Sequence, residues 1–446
     1  MILVSLLRHF LRQDRGNVAI ISAFSFLPLL VLAGGATDIA RHESYRVQLQ
    51  DGVDRAVLAA ASLTQTRPVE ETIKDYLKSV PFIDQVELEF VPETTTNSRR
   101  VTVSASYVMQ TGFLPLIGID TMVVRAHGTA VERRSKIEMS LILDFSGSMA
   151  GSKYNALKTA ATQFVQTMVT EQSKAYTTMS IVPYAGQVNV GYTIFNGVGG
   201  ARTHHDSSCF ELRAGDFGTG MIDLKNRLQV PQFTRWNSGS NLAKDLNPGW
   251  CPSEDTSIAY LSNDASYLVN RIANYKMYDG TGSAIGMRYG FMLLDPAVRP
   301  LVAQAAAHGA MNAAAMGRPA DFDDPDTLKV IVLMTDGVIT EQYTAKDPTK
   351  VVNAPNNYKM LVDPITNQEQ TSARTRLLLA KMCTAAKTND VLVFTIGFQI
   401  SNNSDASRDM RDCASDPAYY YDVAGLNIAA AFESIATTIH RIKLTQ

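Results

Sequence analysis

The sequence predicts an α/β fold built on a doubly wound, mostly parallel sheet, preceded by a transmembrane helix and a small α+β unit. Three observations carry this. From Ser135 onward, near-continuous apolar runs ("KIEMSLILDFS", "LKVIVLMTDG", "DVLVFTIGF") alternate with amphipathic stretches, as buried parallel strands joined by helices do. Nineteen residues without a charge, Val18 to Ala36, are enough to cross a bilayer. Between these regions lie segments of period-2 alternation, the mark of a half-buried antiparallel sheet. The chain of 446 residues has room for two or three domains, and its formal net charge of -2 argues against a nucleic-acid surface.

The N-terminal part, residues 1–39, reads as a tail and a membrane anchor. A cleaved signal peptide ending at "AGGA" is the rival reading, but such peptides have a shorter apolar core. Arg8, Arg12 and Arg15 precede the span while Arg41 and Arg46 follow it, so charge alone gives only a weak orientation. After the span, Tyr45, Leu49, Val53 and Val57 step by four, so the helix continues and becomes amphipathic. A second helix is expected at "PVEETIKDYLKSV", then strands at "QVELEFV", "RRVTVSASYVM" and "DTMVVRAHGTAV". Residues 40–134 thus form an α+β unit, and a helix half in the membrane and half on a small sheet resembles pilin-like proteins.

Residues 135–446 form the α/β domain. Its expected order is the strand "KIEMSLILDFS", the helix "KYNALKTAATQFVQTMV", and the strand "TTMSIVPYA" with a hairpin into "VNVGYTIF". Helices at "ASYLVNRIANYKM" and "AIGMRYGFMLL" follow, then two apolar strands separated by "TRLLLAKMCTAAKT", and a final helix at "LNIAAAFESIATTIHRI". "VAQAAAHGAMNAAAMG" is a further helix candidate, and "DFDDPD" lacks EF-hand spacing and reads as solvated linker. Residues 196–260, rich in Gly, Asn, Ser and Pro and holding Trp236 and Trp250, break the rhythm as an insert. Cys209 and Cys251 lie inside it, and a disulfide between them would close about forty residues, worth roughly 3–4 kcal/mol. With Cys383 and Cys413 the cysteines number four; disulfides would place this domain in an oxidising compartment, and buried free thiols are the alternative.

Two apolar strands end in a carboxylate, at Asp144 and Asp336, and ligands of such sheets bind beyond the carboxyl ends of strands. In "LILDFSGSMAGSK", Asp144, Ser146 and Ser148 are oxygen donors at alternate positions around Gly147, which is free to turn tightly. "YDGTGS" brings Thr281 to a helix start on the same rim. Five hard oxygen donors, Asp144, Ser146, Ser148, Thr281 and Asp336, suit a divalent cation such as Mg²⁺, or Mn²⁺ or Ca²⁺. The simpler alternative makes the serines an N-cap of the following helix. Zinc at His204, His205 and Cys209 lacks a fourth ligand, and "FSGSM" is not the GxSxG elbow of a hydrolase, so no enzyme is expected.

"DFSGS", "GTGSAIG" and "VLMTDG", in that order, resemble the metal-ion-dependent adhesion site (MIDAS) of von Willebrand factor type A (vWA) domains. The resemblance implies a Rossmann-like fold, with Ser146, Ser148 and Thr281 coordinating most directly and Asp144 and Asp336 directly or through water. It also implies a partner whose acidic residue completes the coordination sphere. "RGNVAIISAFSFLPLLVLAGGATDIARHESYRVQLQDGVDRAVLAAA" is similar to the TadE/TadG-like proteins of tight-adherence (Flp) pilus systems, as are "CFELR", "CP" and "CASDPAYYYDV" around Cys209, Cys251 and Cys413. That similarity implies a single-pass inner-membrane protein with its large domain in the periplasm or exported, binding a pilus component or surface protein. Prepilins of the type IV kind place a glutamate five residues after the processed glycine. Ile21 stands there after Gly16, which favours a retained anchor. The alternative function is a structural scaffold in which the span and the α+β unit make the contacts.

Overall fold

The apolar span and the amphipathic rhythm after it form one uninterrupted helix, α1 (Asn17–Ala61), which contains Pro28. The computed structural model describes residues 17–63, 65–94, 98–133, 135–235, 246–307, 311–312, 315–337 and 339–445. Arg8, Arg12, Arg15, Gly16 and Trp236 lie outside the described residues. Along the span, Val18, Ile20, Ile21, Phe24, Phe26, Leu29 and Leu32 are exposed. Further on, Leu49, Val53 and Val57 are buried, with Tyr45 half-buried beside them. The chain divides into two compact units, Met1–Arg133 and Arg134–Gln446.

In the first unit α1 is followed by α2 (Val69–Leu77) and an antiparallel meander of β1 (Val86–Thr94), β2 (Ser98–Gln110) and β3 (Thr121–Arg133), in that order. Alternation sets the core: Val101, Val103, Ala105, Val124, Ala126 and Ala130 pack with Leu49, Val53, Val57, Ile73 and Leu77. Gly128 lets the sheet approach α1, since a Cβ there would lie 2.9 Å from Val53 Cγ1.

In the second unit the chain runs β4 (Lys136–Asp144), α3 (Ser152–Met168), β5 (Thr177–Tyr184), α4 (Tyr192–Gly197), β6 (Ala259–Ser262), α5 (Ala265–Asn274), α6 (Ser283–Met292) and α7 (Arg299–Ala307). It continues through β7 (Thr327–Thr335), β8 (Tyr343–Ala345), β9 (Tyr358–Met360), α8 (Ser372–Thr388), β10 (Leu392–Phe398), α9 (Asp405–Cys413), β11 (Tyr420–Val423) and α10 (Ile428–Thr445). The six-stranded sheet has the order β11-β10-β7-β4-β5-β6, with only β6 antiparallel. This is a mixed α/β fold with a mostly parallel sheet. Both faces are covered. Leu141 and Leu143 pack with Leu157, Phe164, Ile272 and Ile435 on one side, and Ile142 packs with Met287, Phe291 and Met382 on the other. Because β4 is followed by β5 on one side and has β7 on the other, the topological switch lies between β4 and β7.

One expectation fails. No hairpin joins β5 to "VNVGYTIF". Asn189 bridges to Ser257, its side chain donates to Pro252 O at 2.7 Å, and the segment turns at Gly191 (φ 83) into α4. The neighbour of β5 is β6, which arrives after the insert. Of the alanine-rich candidate, residues 302–307 are helical, as part of α7, and 308–310 and 313–314 lie outside the described residues. Two disulfides form: Cys209–Cys251, 42 residues apart within the insert, and Cys383–Cys413, tying α8 to α9.

Candidate metal centre

The carboxyl ends of β4 and β7 deliver Asp144 and Asp336 to the switch point. Asp144 is fully buried, and its Oδ1 accepts the Ser146 amide at 2.8 Å. Its Oδ2 accepts the hydroxyls of Thr335 at 2.7 Å and Tyr184 at 3.3 Å. Asp336 Oδ1 accepts the Ser148 hydroxyl at 2.6 Å, and Oδ2 the Lys153 ammonium at 2.5 Å. The Ser146 and Ser148 hydroxyls are 3.0 Å apart. Neither serine caps α3. The N-cap of that helix is Gly151, with no side-chain bond, and the N-cap hydroxyl of the 3₁₀ turn Gly147–Met149, that of Ser146, makes none either. The hydroxyls instead face each other and Asp336, at a rim that opens to solvent at Ser148.

Gly147 serves a different purpose from the one its place between two serines suggests. The left-handed turn before α3 is taken by Gly151 (φ 81), and Gly147 makes room for Leu246, whose Cδ1 would lie 2.9 Å from an added Cβ.

The loop holding Thr281 reaches the same rim by its backbone. Tyr278 N donates to Phe145 O at 2.9 Å, Gly282 N to Ala185 O at 2.6 Å, and Thr281 exchanges bonds with Thr340 in the segment after β7. Ser283 at the start of α6 is 3.2 Å from the Tyr184 hydroxyl that touches Asp144. Four predicted residues are therefore joined by direct bonds, and Thr281 sits on a loop stitched to both neighbouring strand ends.

Sequence reasoning missed Lys153, Thr335, Tyr184 and Ser283. "GSK" and "MTDG" place a lysine and a threonine near the two carboxylates, and that proximity was the available signal. Tyr184 ends an apolar strand and looks like core.

Burial is the main reason the Asp144 carboxyl is pushed up to about 6, and the nearby Asp336 adds to it. The Tyr184 phenol is held well above its ordinary range by burial and by Asp144. Hydroxyls and one amide are the partners of Asp144 among the described residues, with no cation bonded to it. A buried carboxylate of this kind fits a bound cation. No group of three or more His, Cys, Asp or Glu comes together among the described residues; the polar groups at this rim are two carboxylates and the serine hydroxyls, all hard oxygen donors. At the rival zinc position Cys209 is in a disulfide, and His204 Nε2 lies 2.8 Å from Val230 O.

At the other end of the chain, residues 16–63 match the Tad family, described as Flp pilus-assembly TadE/G-like. The N-terminal segment is TadE/G-like. This TadE/G-like segment coincides with α1, which carries a stretch long and apolar enough to cross a membrane. No curated protein matches the chain. Among solved structures, the chain is similar to the vWF domain of the type V pili tip protein Mfa5 from Porphyromonas gingivalis, at 14% identity and TM-score 0.38, over 69% of this chain and 96% of that one. It is similar to the pilus adhesin SpaC from Lactobacillus rhamnosus GG at 13% identity and TM-score 0.37, covering 80% of this chain but 34% of that protein. Proximal thread matrix protein 1 from the mussel byssus, with a zinc-occupied MIDAS motif, matches at 10% identity and TM-score 0.31, over 69% of this chain and 46% of that one. At identities and scores this low, these likenesses say nothing about what this rim binds.

Proposed function

We propose that this membrane-anchored chain belongs to a tight-adherence (Flp) pilus system, where its α/β unit, read as a vWA domain, binds a protein partner through a divalent cation. Asp144, Ser146, Ser148, Thr281 and Asp336 hold that cation, with Mg²⁺ the first choice and Mn²⁺ or Ca²⁺ the others. The single observation that carries the reading is a buried carboxylate without a paired cation, linked through hydroxyls to a second carboxylate at the switch point. A cation bound there supplies an electrophilic position for a carboxylate of the partner. The neutral hydroxyls of Ser146, Ser148 and Thr281 add donors without adding negative charge. With Lys153 pairing Asp336, two carboxylates, one ammonium and a divalent ion leave one positive charge, which favours an acidic partner such as a pilus component or surface protein. The two disulfides favour an oxidising compartment, hence an inner-membrane anchor with the domain in the periplasm or exported. We read the role as binding rather than catalysis, in keeping with the pilus-assembly match of residues 16–63.

Thermal unfolding of residues 135–446 with EDTA and with millimolar Mg²⁺ tests this. At about a hundred times Kd the ion stabilises by roughly 2.7 kcal/mol, a shift of a few degrees. Asp144→Ala removes both the shift and capture of the partner; retention of either rejects the site. A second expectation concerns pH. The ionised carboxylate is the ligand and Asp144 protonates near 6, so protons compete below that value. Mg²⁺ affinity by titration calorimetry is expected to be flat from pH 8 to 6.5 and to fall by about tenfold per unit below 6. A profile unchanged down to pH 5 would remove Asp144 from the ligand set.

The scaffold reading has one observation in its favour. Lys153 and Ser148 already satisfy Asp336, so the rim closes by protein bonds alone. Deleting residues 135–446 separates the two, because pilus assembly that survives the deletion assigns the contacts to the membrane and α+β regions.

A further inference from the structure

The segment joining β2 to β3 is apolar in a way a water-facing turn does not require. From Val101 to Ile119 there is no charged residue, and the tip reads "TGFLPLIGI". Leu114 is buried, but Phe113 is 39% exposed, Leu116 and Ile117 56% each, and Ile119 43%. Val108 and Val123, paired across the two strands just before the tip, extend the same exposed surface.

This tip is fastened to α1 at a particular height. Asp38, fully buried, accepts the backbone amides of Gly112 at 2.9 Å, Phe113 at 2.7 Å and Leu114 at 3.0 Å. Thr111 closes the neck by donating to the carbonyls of Ile119 and Asp120. Phe113 lies directly on Gly34, where an added Cβ would come within 2.2 Å of its ring, and Leu114 lies on Gly35. Those glycines belong to the last turn of the uncharged span. Nineteen residues at about 1.5 Å each make roughly 28 Å, close to the thickness of a hydrocarbon core, so the last turn meets the headgroup boundary. A turn pinned level with it has its exposed side chains in the same layer.

We propose that residues 112–119 form a second membrane contact, with Phe113, Leu116 and Ile117 inserted into the interfacial layer of the bilayer that α1 crosses. The occupant is lipid because the patch is continuous with the lipid-facing surface of the span. An apolar tip of this size inserts to a depth of about 5–10 Å, the range of interfacial elements. Asp38 is the positioning residue: its three amide bonds set the height of the tip on the helix.

The inference rests on α1 spanning the membrane, and the test separates the two. The full chain, with its four native cysteines oxidised, is placed in phosphatidylcholine–phosphatidylglycerol vesicles. A single nitroxide is attached at Leu116→Cys, at Phe24→Cys in the span, or at Val131→Cys on β3. Collision with oxygen, which partitions into lipid, is compared with collision with a water-soluble nickel chelate. Oxygen is expected to dominate at positions 24 and 116, and nickel at 131. A position 24 label that meets nickel overturns the span itself. With position 24 in lipid, a Leu116 label open to nickel overturns the wedge, and so does one shielded from both probes, which would indicate a protein partner. In Asp38→Ala the Leu116 label is expected to move toward water while the Phe24 label stays; an unmoved Leu116 label overturns the role of Asp38.

Discussion

Lys329→Met is expected to destabilise the α/β unit by about 3–5 kcal/mol, the cost of leaving a buried charge without its partner. Glu138 on β4 and Lys329 on β7 are register partners, 1% and 2% exposed, and the Lys329 ammonium is 2.8 Å from Glu138 Oε2. Around them, Ala320 N donates to both oxygens of Glu138, Arg318 stands at 3.6 Å, and Lys329 also reaches Leu294 O at 2.8 Å. Burial lowers the affinity of Lys329 for its proton, and Glu138 opposes this. Removing the ammonium leaves Glu138 with Arg318 and one amide in a nearly dry place. The pair sits near the amino ends of the strands, away from Asp144, so Mg²⁺ affinity should stay as it was. Urea denaturation of residues 135–446 measures the loss, and one below about 1 kcal/mol would show that Arg318 alone suffices. Glu138→Leu with Lys329→Met should recover part of the stability, because the buried carboxylate and ammonium go together, while Arg318 loses Glu138 and keeps its bond to Thr178.

The second large effect concerns Trp250. Its ring is fully buried, stacks on Phe233 at 5.7 Å and meets Tyr343 edge-on at 5.4 Å. It also fills the space beside two glycines: a Cβ on Gly186 or Gly280 would fall 2.5 Å from it. Gly280 (φ 80) precedes Thr281, so the insert holds the threonine loop in place through this ring. Trp250→Ala is expected to cost about 3–5 kcal/mol. It should also weaken Mg²⁺ binding by about 10–100-fold, the usual range for a residue that orients a ligand without touching the ion. Calorimetry on the folded variant reads the second effect separately from the first. Unchanged affinity would mean that the loop's bonds to Phe145, Ala185 and Thr340 position Thr281 without the ring.

Legibility in the sequence followed burial. Strands covered on both faces, such as β4, β7 and β10, stand out because each is an apolar run longer than any loop tolerates. β6 does not, since "AYLS" is four residues long and follows an irregular insert. The expected hairpin misled because Val188 and Val190 are buried as strand residues are, but the backbone here bonds to the insert, at Ser208 and Ile258, while β5 pairs with β6. At the rim, Asp144, Ser146, Ser148 and Asp336 were readable because polar residues at the ends of apolar strands need a reason. Thr335 and Tyr184 were not, since each is the buried last residue of an apolar strand and its hydroxyl reaches a carboxylate on β4 that only the folded register supplies.

The antiparallel β6 has a consequence for how this unit diversifies. β5 leaves the sheet at the carboxyl rim, and β6, its neighbour, returns at the same rim 75 positions later, from Tyr184 to Ala259. Apart from Trp250 and the Ala185–Gly186 turn, which hold the Thr281 loop, what lies between can be exchanged, with both ends on adjoining strands. Its closure penalty rises only by about 0.6 kcal/mol for each doubling of length, and Cys209–Cys251 fixes its interior independently of the sheet. New surface can therefore be grafted beside Asp144 and Asp336 without shifting the register of any strand that carries them.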